Sequence, residues 1–151
     1  MAAIKPVREG DLDDLLPLMR AYCDFYGASP SDGALMALSR ALLAEPQNEG
    51  LQLLARDDSA RAVGFATIFW SWSTLRAGRT AVMNDLFVDA GARGGGVADQ
   101  LIEACAECCR ERGDVVSLGW QTAKDNSRAQ AVYERVGARR SEGLDYTLEL
   151  G

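Results

Sequence analysis

The sequence contains no histidine among its 151 residues. That single absence removes Ser-His-Asp and Cys-His nucleophile pairs within the chain, and any metal site that uses an imidazole. Proton transfer must then fall to carboxylates, tyrosine, cysteine or backbone dipoles. Cysteine is sparse as well, at Cys23, Cys105, Cys108 and Cys109. Three of these fall on one predicted helix. A metal or redox site needs a fuller ligand set, or a C-x-x-C in a strand-to-helix setting, so reduced structural thiols and no metal are expected. No apolar run approaches membrane-spanning length, and Met1 to Pro6 lacks the apolar core of a secretory signal. The expectation is a cytoplasmic protein without a membrane partner. A basic excess is also missing: the formal net charge is −6 and the sequence pI is about 4.7. A nucleic-acid partner is not expected, because no basic face is available to neutralise phosphates. The acidic balance suits a cationic small substrate.

What is present is ordinary for a globular domain: 48% hydrophobic and 25% charged residues, with no internal repeat. The length fits one domain over residues 1–151. Ile4–Val7 reads as a first strand. Asp11 is the expected cap of a helix over 12–22, with Leu12, Leu15, Leu16, Met19 and Cys23 as its stripe. The aromatic segment Tyr22–Gly27 is expected to break it. Ser29–Gly33 is a turn before a second helix that ends near Ala44. Strands are expected over Leu51–Arg56, Ala62–Trp70 and Thr80–Val88, forming an antiparallel meander. Asn84 and Asp85 put polar groups into the last of these, which edge placement or internal hydrogen bonding would explain. A glycine-rich turn then leads into a helix ending at Arg112, stopped by Gly113. Val115–Trp120 follows a crossover helix and should pair in parallel with Thr80–Val88. Asn126 or Ser127 caps a short helix ending near Val136. Leu144–Leu150 alternates and reads as a last strand. The fold class is α/β (α+β), a single mixed sheet flanked by helices.

The turn Arg93-Gly94-Gly95-Gly96-Val97-Ala98 joins a strand to a helix. This arrangement binds anions, because free amides at the helix start point at a phosphate and glycines let the ligand reach the backbone. A phosphate-binding loop of nucleotide hydrolases would need G-x-x-x-x-G-K-[ST], and that lysine and hydroxyl pair is absent. A dinucleotide fingerprint belongs in the first strand-helix unit, whereas this turn lies past mid-chain.

The stretch from Asn84 to Ala98, with Leu86-Phe87-Val88 ending a strand and Arg93, Gly96 and Ala98 in the [QR]-x-x-G-x-[GA] positions, resembles the central motif of the GCN5-related N-acetyltransferases (GNAT). Asn126–Ala138 resembles the second motif of that family, at the usual separation. The resemblance implies a splayed parallel strand pair at the cofactor site and acetyl-CoA as co-substrate. By it, main chain at Phe87, Val88 and Asp89 meets the pantetheine arm, and amides of Arg93, Gly94, Gly95, Gly96, Val97 and Ala98 cradle the pyrophosphate. Asn126 and Tyr133 contact the cofactor, with Tyr133 as general acid toward the sulfur; Arg128 is a further candidate for the nucleotide phosphates. Ala90-Gly91-Ala92 departs from the family's usual residues and implies a softer loop.

Amine acylation needs a deprotonated nucleophile, so a proton acceptor is required. Asp85 is the leading carboxylate, with Asn84 positioning a water or the amine. Strand alternation would send these two side chains to opposite faces. The strand Asn84–Val88, the Trp70-Ser71-Trp72 segment and the opening helical hairpin are similar to the diamine and polyamine branch of the family, which implies a small primary-amine acceptor and a homodimer. Tyr22, Asp24, Tyr26 and Trp72 are, with Asn84 and Asp85, the candidate acceptor-side residues. Packing of the rings between the first two helices is the plainer explanation for Tyr22, Phe25 and Tyr26. An amino acid, antibiotic or protein amine remains an alternative acceptor, and a non-catalytic acyl-CoA sensor remains an alternative of another class.

Overall fold

The computed structural model describes residues 1–151. Its chain-order elements are β1 (Ala3–Pro6), α1 (Leu12–Phe25), α2 (Asp32–Ala44), β2 (Gly50–Arg56), β3 (Ala62–Ser73), β4 (Gly78–Val88), α3 (Val97–Arg112), β5 (Val115–Gly119) and α4 (Ser127–Arg135). Two compact units divide the chain, Met1–Gln121 and Thr122–Gly151. No helix is long and apolar enough to cross a membrane.

The first unit is a mixed α/β fold around one sheet in the order β1-β2-β3-β4-β5. The first four strands pair antiparallel. β5 joins β4 in parallel after the α3 crossover, as the sequence predicted. β4 is therefore an interior strand, and edge placement does not account for Asn84 and Asp85.

Strand alternation decides which residues meet which helices. Leu54 and Phe65, partners across β2 and β3, share a buried cluster with Val7, Leu12, Leu15, Leu18, Met19 and Leu35 from the α1 and α2 side. The neighbouring positions Leu53, Ala55, Ala66 and Ile68 are buried on the opposite face. There Gly64 lets α3 approach: a Cβ on Gly64 would lie 3.2 Å from Leu101 Cδ1 and 3.4 Å from Val97 Cγ1. α3 buries Val97, Leu101, Ile102, Cys105 and Cys109. All four cysteines are free thiols.

Two local expectations are corrected here. α1 continues through Tyr22 to Phe25 rather than ending at the aromatic segment. Its stop is Gly27, at φ 71°, where the Ala28 amide closes back on the Cys23 carbonyl at 2.9 Å. Asp11 makes no side-chain cap to α1. It instead accepts from the Arg8 amide at 2.9 Å and from Arg56 Nη2 at 2.9 Å. In contrast, Ser31 does cap α2, accepting from the Ala34 amide at 3.1 Å.

The second unit contains α4 alone as regular structure. Asn126 Oδ1 caps it by accepting from the Ala129 amide at 3.2 Å. The expected last strand is absent: residues 138–151 form neither helix nor strand. Alternation makes one face apolar, but a strand exists only where an edge supplies hydrogen bonds. Leu144, Tyr146, Leu148 and Leu150 are instead exposed.

Candidate active site

The glycine turn begins where β4 ends. The Asp89 amide donates to the Val63 carbonyl at 2.8 Å, and Ala90–Ala92 forms one turn of 3-10 helix. Arg93 folds back over this corner: Nε donates to the Val88 carbonyl at 3.0 Å, and its guanidinium lies 5.7 Å from the Phe87 ring centroid. Gly94 and Gly96 take left-handed backbone, at φ 87° and 84°, which a residue with a Cβ adopts only with strain. The first helical bond of α3 runs from the Gln100 amide to the Gly96 carbonyl at 3.0 Å. The amides of Val97 and Ala98 precede it at the positive end of the helix dipole. No atom lies within 4 Å of where a Cβ on Gly94 or Gly96 would sit. These residues fit a diphosphate: open backbone, outward amides and a neighbouring arginine.

β4 and β5 provide a second opening. Their parallel pairing covers Arg79 with Val115, Ala81 with Leu118 and Val82 with Gly119. Beyond Val82, β4 continues to Val88 paired only with β3. Main-chain groups between Met83 and Val88 thus face the gap between diverging strands. Such a gap suits an extended ligand that carries its own amides.

Asp85 stands on this stretch. Thr67 pairs with Asp85, and the next residue of β3, Ile68, pairs with Met83. Asn84 is therefore the extra residue of a β-bulge. The bulge changes the expected alternation: the side chains of Asn84 and Asp85 do not diverge, and Asn84 Nδ2 donates to Asp85 Oδ1 at 3.0 Å. Thr67, its cross-strand partner, and Tyr22 also lie beside this carboxylate and favour its charged form. The Tyr22 hydroxyl donates to the Asn84 main-chain carbonyl at 3.2 Å. Asp85 is half-buried, and Asn84 is exposed. Burial raises the proton affinity of Asp85 above the usual carboxylate range, and the three hydrogen bonds oppose that rise. Burial first, and then the Asp85 charge, push the Tyr22 phenol far above its ordinary value, so Tyr22 remains a neutral donor.

Tyr22 reaches this place from the last turn of α1. Its ring packs edge-on to Phe65 at 5.8 Å and Phe87 at 6.3 Å, and lies 5.0 Å from the Tyr26 ring. The aromatic group thus docks α1 on the sheet rather than only joining the two helices. Tyr26 and Asp24 are exposed at the same helix end. Trp72 is not brought to Asp85. It pairs with Arg79 across the far end of β3 and β4, stacked under the Arg79 guanidinium at 4.3 Å. That lies roughly 17 Å along the strand from Thr67, at ~3.3 Å per residue. Within the second unit, Tyr133 is half-buried on α4 and Arg128 lies in its first turn. Thr67 escaped the sequence reading. Nothing local marks it, because its importance comes from a cross-strand register.

Comparison with known proteins agrees with this geometry. The sequence profile of the acetyltransferase (GNAT) family matches residues 15–138. An uncharacterized N-acetyltransferase of Bacillus subtilis, YhfO, is 28% identical over 142 residues, covering 93% of this chain and 92% of that protein. The thialysine N-epsilon-acetyltransferase of Bos taurus is 24% identical, covering 90% of this chain and 83% of the relative. A crystal structure described as a probable acetyltransferase superposes with a TM-score of 0.86 at 31% identity, covering 99% of this chain and 98% of the other. An aminoglycoside N-acetyltransferase in complex with CoA shares the fold, with a TM-score of 0.83 at 20% identity, covering 100% of this chain and 96% of the other. With the family profile spanning most of the sequence and the glycine turn in the matching place, the chain belongs to the GNAT family of acetyl-CoA-dependent acetyltransferases.

Proposed function

We propose that the acceptor is a small molecule bearing a cationic primary amine, with diamines and polyamines as the preferred class. One observation carries this reading: the half-buried Asp85 carboxylate sits beside the gap between β4 and β5, with Asn84 and Tyr22 around it. A partly desolvated carboxylate attracts an ammonium group and can accept its proton. The relative that acetylates thialysine supports an alkylamine acceptor.

Bound acetyl-CoA supplies the activated acetyl group as a thioester. In this reading the Arg93–Ala98 backbone and the start of α3 hold its diphosphate. Main chain from Phe87 to Asp89 holds the pantetheine arm, and the Val88 region places an amide toward the reacting carbonyl. Asn126, the cap of α4, contributes to cofactor contact. Tyr133 donates a proton to the departing sulfur. Asp85 accepts the ammonium proton, and Asn84 orients the amine. Tyr26 and Asp24, exposed beside Tyr22, extend the acceptor side with a ring face and a second carboxylate. Trp72 has a weaker claim as an acceptor contact, given its place at the opposite end of β3.

The chain also acts as a homodimer in this reading. Four apolar side chains, Leu144, Tyr146, Leu148 and Leu150, lie exposed, and exposed apolar surface favours association. Sedimentation should show twice the chain mass.

The acceptor assignment is tested by following free thiol release with acetyl-CoA and putrescine, spermidine, thialysine, lysine and aminoglycosides. The highest kcat/KM is expected for the diamine and polyamine. Turnover confined to aminoglycosides or to lysine would overturn the acceptor class.

A further inference from the structure

Asp85 is half-buried and stands at the end of a row of buried polar residues. Gln52, Thr67 and Asp85 are neighbours across β2, β3 and β4: Gln52 pairs with Thr67, and Thr67 pairs with Asp85. Ser39 of α2 extends the row. Ser39, Gln52 and Thr67 are 0%, 4% and 0% exposed, the only polar side chains so deeply buried. They lie on the face that carries Leu54, Phe65 and Met19. Burying three polar side chains among hydrocarbon is costly unless each finds a partner, and here each does.

The donors run in one direction. Ser39 Oγ donates to Gln52 Oε1 at 2.7 Å. Gln52 Nε2 donates to Thr67 Oγ1 at 3.0 Å. Thr67 keeps its own hydroxyl proton, and its cross-strand partner on β4 is Asp85, whose proton affinity Thr67 lowers. The orientation of the Gln52 amide decides this polarity. A threonine hydroxyl has a single proton. If Gln52 presented its oxygen to Thr67, that proton would be spent on Gln52 and Asp85 would lose its donor. The amide nitrogen also faces the Met19 sulfur, which Ser39 Oγ approaches at 3.6 Å as well. That sulfur can only accept, and it lies 3.7 Å from Gln52 Nε2.

We propose that Ser39, Gln52 and Thr67 form a polarised buried chain that commits the Thr67 proton to Asp85 and so fixes the orientation and proton affinity of that carboxylate. Gln52 and Ser39 touch neither substrate nor cofactor in this scheme; they are positioning residues acting through Thr67. The role assigned to Asp85 in catalysis rests on the proposed function, but the chain's effect on Asp85 does not. The groups that face Asp85 are Thr67 from β3, Tyr22 from α1 and its neighbour Asn84. Tyr22 is the one titratable group among them and stays neutral. Removing the Thr67 hydroxyl therefore leaves a half-buried anion with less stabilisation.

The test reads Asp85 directly. The side-chain carboxyl carbon is followed by NMR in aspartate-labelled protein over a pH titration, with Asp85→Asn identifying the resonance. Thr67→Val, which keeps the shape, should raise the Asp85 midpoint by about one pH unit, the size expected for a hydrogen bond to a charged group. Thr67→Ser restores the hydroxyl and should restore the midpoint. Gln52→Met and Ser39→Ala should shift it in the same direction by less, and add nothing when combined with Thr67→Val. An Asp85 midpoint that stays put in Thr67→Val, or that moves equally for Gln52→Met with and without Thr67, would overturn the chain. The acid limb of kcat/KM is read separately. If the NMR midpoint moves while the acid limb stays fixed, the chain stands and Asp85 is not the proton acceptor.

Discussion

The role proposed for Asp85 opposes its effect on stability. Burial raises its proton affinity, and hydrogen bonds from Thr67, Tyr22 and Asn84 recover only part of the loss. A carboxylate whose folded-state pKa lies above its unfolded value favours folding while protonated, and that contribution is lost as pH rises through the folded pKa. Asp85→Asn removes the charge. It should therefore raise the melting temperature at neutral pH, with the gain shrinking toward acid, where the wild-type group is already protonated. The same variant should lower kcat by about 10²-fold or more if the carboxylate is the proton acceptor. An unchanged rate would remove it from the proton path. Tyr22→Phe keeps the ring packing on Phe65 and Phe87 but removes a donor. The acid limb of kcat/KM should move to higher pH, with little change in melting temperature. Tyr133→Phe should reduce kcat while leaving coenzyme affinity intact, as measured by calorimetry; a lost affinity would contradict its role as acid.

At the scale of elements, the glycine turn and α3 carry the cofactor reading. Gly96 has open space where a side chain would project, so Gly96→Ala meets no clash, only left-handed strain. It should cost about 1 kcal/mol of stability and weaken coenzyme binding in the same titration calorimetry. An unaffected affinity would mean the turn does not hold the diphosphate. On the buried side of α3, Cys105 and Cys109 face the sheet, and burial pushes the Cys109 thiol up to about 11 and Cys105 higher still. Both should resist thiol reagents in the native protein and react on unfolding. The turn, the helix and the parallel β5 were legible because their signals are local: clustered glycines, a helical stripe, a crossover. The Asn84 bulge was not, since a bulge is a relation between two strands. The same physics hid Thr67 and Gln52, whose meaning arises only when three strands align their rows. It also misled at Leu144–Leu150, where good alternation found no edge to join.

For the whole molecule, sheet order explains how the parts come together. Antiparallel β2, β3 and β4 deliver a row of side chains to Asp85 on the α1 face, while the departure of β5 from β4 past Val82 opens main chain beside it. In the proposed function the donor and acceptor ends are thus built from one strand, with the glycine turn at the C-terminal end of β4 and Asp85 three residues before that end. The family profile and the solved relatives fix the reaction class. For the acceptor, the proposed function rests on this chain's own half-buried Asp85 carboxylate. The most direct measurement is product mass after mixing the protein with acetyl-CoA and spermidine. The account predicts one acetyl group added to an amine nitrogen for each thiol released. Thiol release without acetylated amine, or no release above the enzyme-free rate, would contradict it.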